Sequence, residues 1–227
     1  MTPLEPPAAD AILAGDSRRA FALAQALTIQ PRMSHQARGL WGYTGTSPGG
    51  LDLTVQSTGV GGPSAVTVIS DLAGLGVTTV VRLGTCVALD DRLGPGDRVL
   101  VERALAADGA GRALAAADSG PGPVTTEPDP ELFRSLSGLA APATVSSHDL
   151  VARLEPATGP APGDERGPVA RDLQTAATLA VAAKLGVRAA AILVVAEDRR
   201  SGRMPEAELE QAFVDLAPAV LGALESA

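Results

Sequence analysis

The stretch Val80-Val81-Arg82-Leu83-Gly84-Thr85-Cys86-Val87-Ala88-Leu89 decides the fold of this chain. Its β-branched beginning is typical of a buried strand, and the strand ends in one cation, small residues and a hydroxyl. Ligands of open α/β sheets bind at the carboxyl ends of the strands. There Gly84 allows a close approach of the backbone, and Arg82 offers a planar fork of donors that matches phosphate or carboxylate. The stretch indicates an anion site at a strand end or, in the simpler interpretation, an exposed strand-end charge.

The composition restricts the class of protein. The chain has 227 residues, of which 45% are hydrophobic and 19% charged, which suits one large domain or two small ones. The alternation of elements described below predicts a single domain over residues 1–227. A formal net charge of −8 argues against nucleic acid as a partner, so any anion site must be built locally from a few arginines. The single Cys86 excludes an internal disulfide and a cysteine-based zinc site. We expect no bound metal.

Targeting and membrane segments are not expected. The first ten residues contain no Lys or Arg, unlike a secretory signal. The longest apolar run, residues 178–196, is interrupted by Lys184, Gly186 and Arg188 and reads as a helix followed by a strand. Together with the single cysteine, these features predict a cytoplasmic protein without a membrane partner.

Strand and helix patterns alternate along the chain, which indicates a single α/β domain. Strands are predicted at residues 11–14, 51–55, 80–89, 97–101, 143–149 and 189–195. Helices are predicted at residues 20–27, 65–74, 130–140, 173–185 and 206–224, with Ser64 at the start of the second. Residues 104–126 lack periodicity and are predicted to be a surface excursion. The Pro/Gly-rich loop 156–168 is either a mobile lid over a site or an inert connection.

Two glycine-containing turns are further places where a ligand can approach the backbone. Gly15 follows the first strand and precedes Arg18 and Arg19, so free N–H groups and guanidinium groups meet at one turn. The loop Gly59-Val60-Gly61-Gly62-Pro63-Ser64 precedes the second helix. Each turn is equally compatible with a tight strand-to-helix connection and no ligand.

Three segments, taken in order, carry a resemblance to a known family. They are residues 15–19 (Gly-Asp-Ser-Arg-Arg), 38–45 (Arg-Gly-Leu-Trp-Gly-Tyr-Thr-Gly) and 82–86 (Arg-Leu-Gly-Thr-Cys). With the glycine loop between the last two, the chain resembles the hexameric purine nucleoside phosphorylase/uridine phosphorylase family. The resemblance implies a single-domain, three-layer α/β/α fold with a central mixed β-sheet. It also implies a homo-oligomer, dimer to hexamer, in which neighbouring subunits share active sites.

The resemblance implies a phosphate site made of Gly15, Arg19, Arg82 and Thr85, completed by Arg38 from a neighbouring subunit. Three guanidinium groups, a hydroxyl and backbone N–H groups are suited to hold a phosphate dianion as the nucleophile. No cofactor is implied, and inorganic phosphate is the expected co-substrate.

The nucleoside half departs from the family pattern. Leu173-Gln174 stands where the family has a Met-Glu pair whose Glu bonds both ribose hydroxyls, so a charge that stabilises a cationic sugar is lost. Val151 occupies the position of an aromatic residue that contacts the base. The expected nucleoside-binding residues are therefore Val60, Val151, Leu173 and Gln174.

The expected catalytic acid follows the last strand, where Ala196-Glu197 replaces the Ser-Asp of the purine enzymes. Glu197 is suited to protonate the purine N7, and the adjacent Asp198 is a second candidate. The simpler interpretation of the two carboxylates is a solvated strand end.

These matches predict a nucleoside phosphorylase, a pentosyltransferase of nucleotide salvage that cleaves purine nucleosides or uridine with phosphate. The alternative is a catalytically weakened paralogue that binds phosphate or a phosphorylated ligand without turnover. A nucleosidase that uses water is less favoured, because such enzymes do not need the phosphate arginines and depend on the Glu that Gln174 replaces. Purine and pyrimidine substrates both stay open, although an acidic residue after the last strand favours purine.

Overall fold

The computed structural model describes residues 3–115, 124–154 and 167–226. Residues 155–166, which make up most of the loop considered as a lid, lie outside this part. The described strands are β1 (Asp10–Ala14), β2 (Ile29–His35), β3 (Gly42–Thr46), β4 (Asp52–Ser57), β5 (Thr79–Ala88), β6 (Arg98–Ala106), β7 (Thr125–Thr126), β8 (Ala141–Ser147), β9 (Ala170–Asp172), β10 (Arg188–Asp198) and β11 (Gly202–Arg203). The described helices are α1 (Ser17–Leu27), α2 (Gly62–Gly74), α3 (Gly109–Ala115), α4 (Pro130–Leu136), α5 (Thr175–Leu185) and α6 (Glu206–Glu225).

All described strands belong to one mixed sheet. Strands β4, β1, β5 and β10 lie side by side and run parallel, so their carboxyl ends meet at one edge of the sheet. Beyond β4 the sheet continues through the antiparallel strands β3 and β2. We call the edge at the carboxyl ends of the four parallel strands the carboxyl edge.

Five of the strands close into a ring. Strand β5 pairs with β10, β10 with β6, β6 with β8, β8 with β9, and β9 again with β5. The closing contact is short, since only Val87 and Ala88 of β5 pair with Arg171 and Ala170 of β9. It brings β9 beside the carboxyl-terminal end of β5, at the carboxyl edge.

Helices cover both faces of the sheet. One core contains apolar residues of α1, α4 and α6, and the other contains those of α2 and α5. The alternation along β5 divides its side chains between the two cores: Val81 and Leu83 belong to the first core, Val80 and Cys86 to the second. The same period of two directs Arg82 to the face that α5 covers. The predicted three-layer α/β fold with a central mixed sheet is thus confirmed.

The structure differs from the predicted elements where polar residues or short segments are involved. Strands β2 and β9 were not predicted, because one has an exposed, polar pattern and the other is three residues long and charged. The segment 104–126 is not only a surface excursion, since it contains the end of β6, helix α3 and strand β7. Ser64 does not cap α2: the helix begins at Gly62, and the Ser64 hydroxyl instead donates to the Thr58 carbonyl.

Of the helices in the described ranges, none has the length and apolar character needed to cross a membrane.

Candidate active site

A cleft of about 320 Å³ opens at the carboxyl edge, where the ends of β1, β4, β5, β9 and β10 converge. Most of the residues that the sequence singles out line it: Gly15, Arg19, Val60, Arg82, Thr85, Val151, Leu173, Gln174 and Glu197. Arg153, Arg171 and Arg203 line it as well, which makes the cleft rich in cations within an acidic chain. Such a local concentration of positive charge favours an anionic ligand.

Arg19 is held at the start of α1. Asp16 caps this helix, because its Oδ1 accepts hydrogen bonds from the backbone N–H groups of the first turn, including that of Arg19 at 3.1 Å. The Arg19 guanidinium lies 5.2 Å from the centre of the Phe213 ring, a cation–π distance. Its Nε is buried without a hydrogen-bond partner among the described residues. Arg19 therefore brings into the cleft a positive charge that no carboxylate in the described part of the chain neutralises by direct contact.

Burial lowers the pKa of the Arg19 guanidinium from its usual value. The charges of Asp16 and Glu206 oppose this change, while that of Arg82 acts in the same direction as burial. An arginine stays protonated even so, and its partly desolvated charge makes a bound anion more favourable.

Unlike Arg19, Arg82 is surrounded by side chains that accept hydrogen bonds from its guanidinium. Its side chain is 5% exposed, and its Nη2 lies 3.0 Å from Oδ2 of Asp172 in a buried ion pair. Its Nη1 donates to Oε1 of Gln174 at 2.7 Å, and its Nε donates to Oγ1 of Thr175 at 3.1 Å. Gly84 makes room for this arrangement, because a Cβ there would lie 2.7 Å from the Arg82 Cζ. Three of the five N–H groups of Arg82 are thus used inside the protein.

Asp172, at the end of β9, organises this wall of the cleft. Its Oδ1 accepts from the Ser147 hydroxyl at 2.6 Å, and its Oδ2 accepts from the Thr175 hydroxyl at 2.6 Å. Both oxygens lie near the Thr175 backbone N–H, so the carboxylate also satisfies a donor at the first turn of α5. The Ser147 hydroxyl in turn accepts from the Ala176 N–H at 2.8 Å. Asp172 therefore joins β8, β9, α5 and the charge of Arg82.

The Gln174 amide has hydrogen-bond partners at both its oxygen and its nitrogen. Its Oε1 accepts from Arg82 and lies 3.0 Å from the Thr58 hydroxyl, whose single proton is shared with the Ala14 carbonyl at 3.1 Å. Its Nε2 donates to the carbonyls of Gly59 at 2.6 Å and Gly61 at 3.1 Å. The residue is 2% exposed. Gln174 thus connects the glycine loop after β4 with the arginine of β5.

The two acidic residues at the end of β10 lie in different places. Glu197 is half-buried and lines the cleft, where a register shift in the pairing of β10 with β5 precedes it. Asp198 does not line the cleft, and its Oδ1 accepts from the backbone N–H groups of Arg200 and Ser201 in the turn to β11. These hydrogen bonds, with that of Ser201 the largest influence, lower the pKa of Asp198. A carboxylate held deprotonated in a turn is not suited to donate a proton.

Comparison with known proteins agrees with this architecture. A family model for the phosphorylase superfamily matches residues 10–158. This chain belongs to the phosphorylase superfamily. The family predicted from the three segments is thereby confirmed.

Individual relatives in the superfamily are named as purine and uridine phosphorylases. The DeoD-type purine nucleoside phosphorylase of Geobacillus kaustophilus is 30% identical over 209 residues, which cover 88% of this chain and 85% of the relative. The uridine phosphorylase of Haemophilus influenzae is 35% identical over 100 residues, covering 44% of this chain and 39% of the relative. The DeoD-type enzyme of Oceanobacillus iheyensis is 34% identical over 94 residues, 41% of this chain and 40% of the relative. The similarity to this last protein thus spans less than half of its length.

Other predicted site residues of this superfamily member differ in exposure. Val60 is 77% exposed beside the cleft, whereas Val151 and Leu173 are half-buried in its lining. Arg38 is exposed in the 3-10 turn Ala37–Gly39, has a φ of 59°, and does not line the cleft of its own chain. The structure therefore brings nine predicted residues together and leaves Arg38 and Asp198 outside.

Sequence reasoning missed Asp172, Thr175 and Thr58, which hold Arg82 and Gln174 in position. One local signal was available for Asp172: an acid three residues before Thr175 matches the spacing of a side chain that accepts from the first turn of a helix. Nothing local to Thr58 marks it as a partner of a residue 116 positions away.

Proposed function

We propose that this protein is a nucleoside phosphorylase that transfers the pentose of a nucleoside to inorganic phosphate. The observation that carries the proposal is the cleft in which Arg19, Arg82, Thr85 and Gly15 lie together at the carboxyl edge. The Arg19 charge has no ion pair among the described residues, so an anionic ligand would supply the missing counter-charge. The products would be a free base and a pentose 1-phosphate, which belong to cytoplasmic nucleotide salvage.

The phosphate is proposed to lie between Arg19 and Thr85. Among the described residues the Thr85 hydroxyl has no hydrogen-bond partner, and it is half-buried in the cleft. Arg82 contributes two remaining N–H groups and a fixed orientation, since Asp172, Gln174 and Thr175 hold the rest. Groups that are already oriented stabilise developing charge without reorganisation during the reaction.

In the proposed reaction a phosphate oxygen forms a bond to the anomeric carbon of the sugar as the bond from that carbon to the base breaks. The electron pair of the broken bond leaves with the base, and the sugar passes through an oxocarbenium-like state that the phosphate dianion stabilises. Glu197, at the end of β10, is the proposed proton donor to the leaving base, at N7 of a purine.

The proposal includes a homo-oligomer. Arg38 is exposed and outside its own cleft, so it can act on phosphate only in the cleft of another subunit. A dimer is the smallest assembly that would allow this, and a hexamer is the assembly that the family resemblance implies.

The test is release of free base from inosine, adenosine and uridine, each with and without phosphate. We expect release that depends on phosphate, and Glu197→Gln should lower kcat by about 100-fold. Asp198→Asn is the matched comparison, and it should lower kcat far less because Asp198 does not line the cleft. No release from any of the nucleosides would refute the proposal.

The second candidate is a paralogue that binds phosphate without turnover. It is favoured by the Gln174 amide, whose oxygen and nitrogen both have hydrogen-bond partners inside the protein, and by Val151 in place of an aromatic side chain. The base-release assays distinguish the two functions: this candidate requires that phosphate binds in titration calorimetry while no nucleoside releases its base.

A further inference from the structure

The turn that carries Arg38 has a backbone conformation that needs support from its surroundings. Arg38 has a φ of 59° and a ψ of 21°, in the left-handed region that residues other than glycine rarely adopt. Gly39 follows with a φ of 70°, and the Leu40 N–H closes the turn by donating to the Ala37 carbonyl at 3.1 Å. We call residues Ala37–Gly39 the Arg38 turn. A backbone in this region persists where neighbouring groups hold it, so those groups decide where Arg38 is presented.

The Ser17 hydroxyl joins the Arg38 turn to the start of α1. Ser17 is the first residue of this helix and stands between Gly15 and Arg19, which both line the cleft. Its Oγ donates to the Gly39 carbonyl. The same oxygen accepts from the Trp41 backbone N–H at 3.4 Å. One hydroxyl therefore holds the segment that contains the turn at two points.

The end of β4 takes part in the same arrangement. A hydroxyl has one proton, and that of Ser17 is used on the Gly39 carbonyl, so the Ser57 hydroxyl at 3.1 Å is the donor to Ser17. The Ser57 backbone N–H donates to the Trp41 carbonyl at 2.9 Å. Ser57 is also paired with Ala14 at the end of β1. The Arg38 turn, the end of β4 and the start of α1 thus form one hydrogen-bonded unit.

We infer that Ser17 is a positioning residue, whose hydroxyl holds the Arg38 turn in the conformation that lets Arg38 reach phosphate in the cleft of another subunit. The inference rests on the proposed function, in which Arg38 acts only between subunits. Ser17 does not line the cleft of its own chain. The phosphate affinity of one subunit therefore depends on a serine of its neighbour.

Helix α1 does not need the Ser17 hydroxyl in order to begin. Asp16 is the N-cap of this helix, and its Oδ1 accepts from the backbone N–H groups of Arg18 at 2.9 Å and Arg19 at 3.1 Å. The Ser17 hydroxyl is directed instead to residues 39 and 41. Its removal should therefore release the Arg38 turn and leave α1 and Arg19 in place.

The first experiment is a double-mutant cycle on phosphate binding. Titration calorimetry gives the Kd of inorganic phosphate for the wild type, Ser17→Ala, Arg38→Ala and the double variant. We expect Arg38→Ala to raise the Kd about tenfold, because a hydrogen bond from a charged group is lost, and Ser17→Ala to raise it about threefold. The double variant should have the Kd of Arg38→Ala, because Ser17 acts only through Arg38.

A purely structural role of Ser17 would give a different result. A general support of the cleft would change the Kd by the same factor whether or not Arg38 is present, so the two effects would multiply. Ser17→Thr keeps a hydroxyl at this position and should stay within about twofold of the wild-type Kd. Ser57→Ala removes the donor to Ser17 and should act in the same direction as Ser17→Ala. It provides a milder change if Ser17→Ala does not fold.

Ser47→Ala is the matched control. The Ser47 hydroxyl makes the same kinds of contact as that of Ser17, because it donates to Glu225 at 2.8 Å and accepts from the Leu51 backbone N–H at 3.0 Å. It lies between β3 and β4, away from the carboxyl edge. This variant should keep the wild-type Kd for phosphate.

Trp41 supplies a second readout, since it is the single tryptophan of the chain and its backbone N–H donates to Ser17. Its fluorescence therefore reports on the segment that Ser17 holds. Quenching by acrylamide should increase in Ser17→Ala, where the segment is released, and stay at the wild-type level in Ser47→Ala. Equal quenching in all three proteins would mean that Ser17 does not hold this segment.

The outcomes separate the inference from the proposed function. Phosphate Kd values that follow the expected cycle, without base release from any nucleoside, would support the inference and refute the proposed function. Phosphate-dependent base release, together with a Ser17→Ala effect that persists in the Arg38→Ala background, would overturn the inference alone. A wild-type protein that binds no phosphate would overturn it as well, and so would a Ser17→Ala protein with an unchanged Kd.

Discussion

Arg19 and Arg82 line the same cleft, yet the protein treats their charges in opposite ways. Arg82 has a buried carboxylate, an amide and a hydroxyl as partners, whereas Arg19 has an aromatic ring and an Nε without a hydrogen-bond partner among the described residues. The charge of Arg82 is therefore compensated before any ligand arrives, and that of Arg19 is not. An arginine within a strand can thus hold a site in shape, while another arginine of the same site is the group that needs the ligand.

The largest effect is expected from removing the carboxylate that compensates Arg82. Asp172→Ala leaves a guanidinium at 5% exposure without its ion-pair partner, and it should lower the free energy of unfolding by about 3–5 kcal/mol. Urea denaturation of wild type and variant measures the loss. The control is Asp172→Ala combined with Arg82→Met, which should cost less than the sum of the two single changes. A loss below about 1 kcal/mol in the single variant would mean that Arg82 is not compensated by this residue.

A smaller effect, on binding and not on folding, is expected for Arg19. Arg19→Ala should weaken phosphate binding by about 10- to 100-fold, because hydrogen bonds to a charged group are lost. The free energy of unfolding should change by less than about 1 kcal/mol, since only the contact with Phe213 is removed. Calorimetry with phosphate measures the first quantity. Arg18→Ala, at an exposed neighbouring position, should bind like wild type, and an equal loss in both variants would argue against a specific role of Arg19.

The smallest effect extends the comparison to Asp108, a buried carboxylate for which residues 3–115, 124–154 and 167–226 provide no ion pair. Asp108 is fully buried, its Oδ1 has no partner among the described residues, and its Oδ2 accepts from the Gly111 N–H at 2.8 Å. Burial raises the pKa of Asp108, against the opposing effect of the Gly111 hydrogen bond. The folded-state pKa lies above the unfolded-state pKa, so this group favours folding at low pH and that contribution is lost as pH rises.

Asp108→Asn should therefore be more stable than wild type at pH 7, by an amount within about 1 kcal/mol. The difference should disappear below about pH 4, where the acid is protonated in both states. Thermal unfolding of both proteins between pH 3.5 and 7 measures it. A difference that does not vary with pH would show that the charge of Asp108 is not its cause.

The part of this structure that could be predicted from the sequence is the part carried by local patterns. The buried strands β1, β5 and β10 and the helix α6 have apolar patterns that identify them without their surroundings. The glycine turns after β1 and β4 also marked the position of the cleft, because ends of parallel strands share one edge of a sheet. Arg82 was expected at a strand end, but it lies within β5 and is buried.

The partners of Arg82 could not be predicted in this way. Asp172 and Gln174 follow it by 90 and 92 residues, and they meet it only because β9 closes the ring against β5. In sequence, Arg171-Asp172 resembles an exposed polar segment, although both side chains are buried. Burial of such residues is stable only when the fold provides their partners, and no local pattern carries that information.

Strand β9 has a consequence for how the molecule can change during evolution. It is three residues long, it closes the five-strand ring by pairing with β8 on one side and β5 on the other, and it carries Asp172. The residues that close the five-strand ring and the carboxylate that compensates Arg82 therefore lie in the same three-residue strand. A substitution in β9 that changes the affinity for an anion is therefore also expected to change how firmly the five-strand ring is closed.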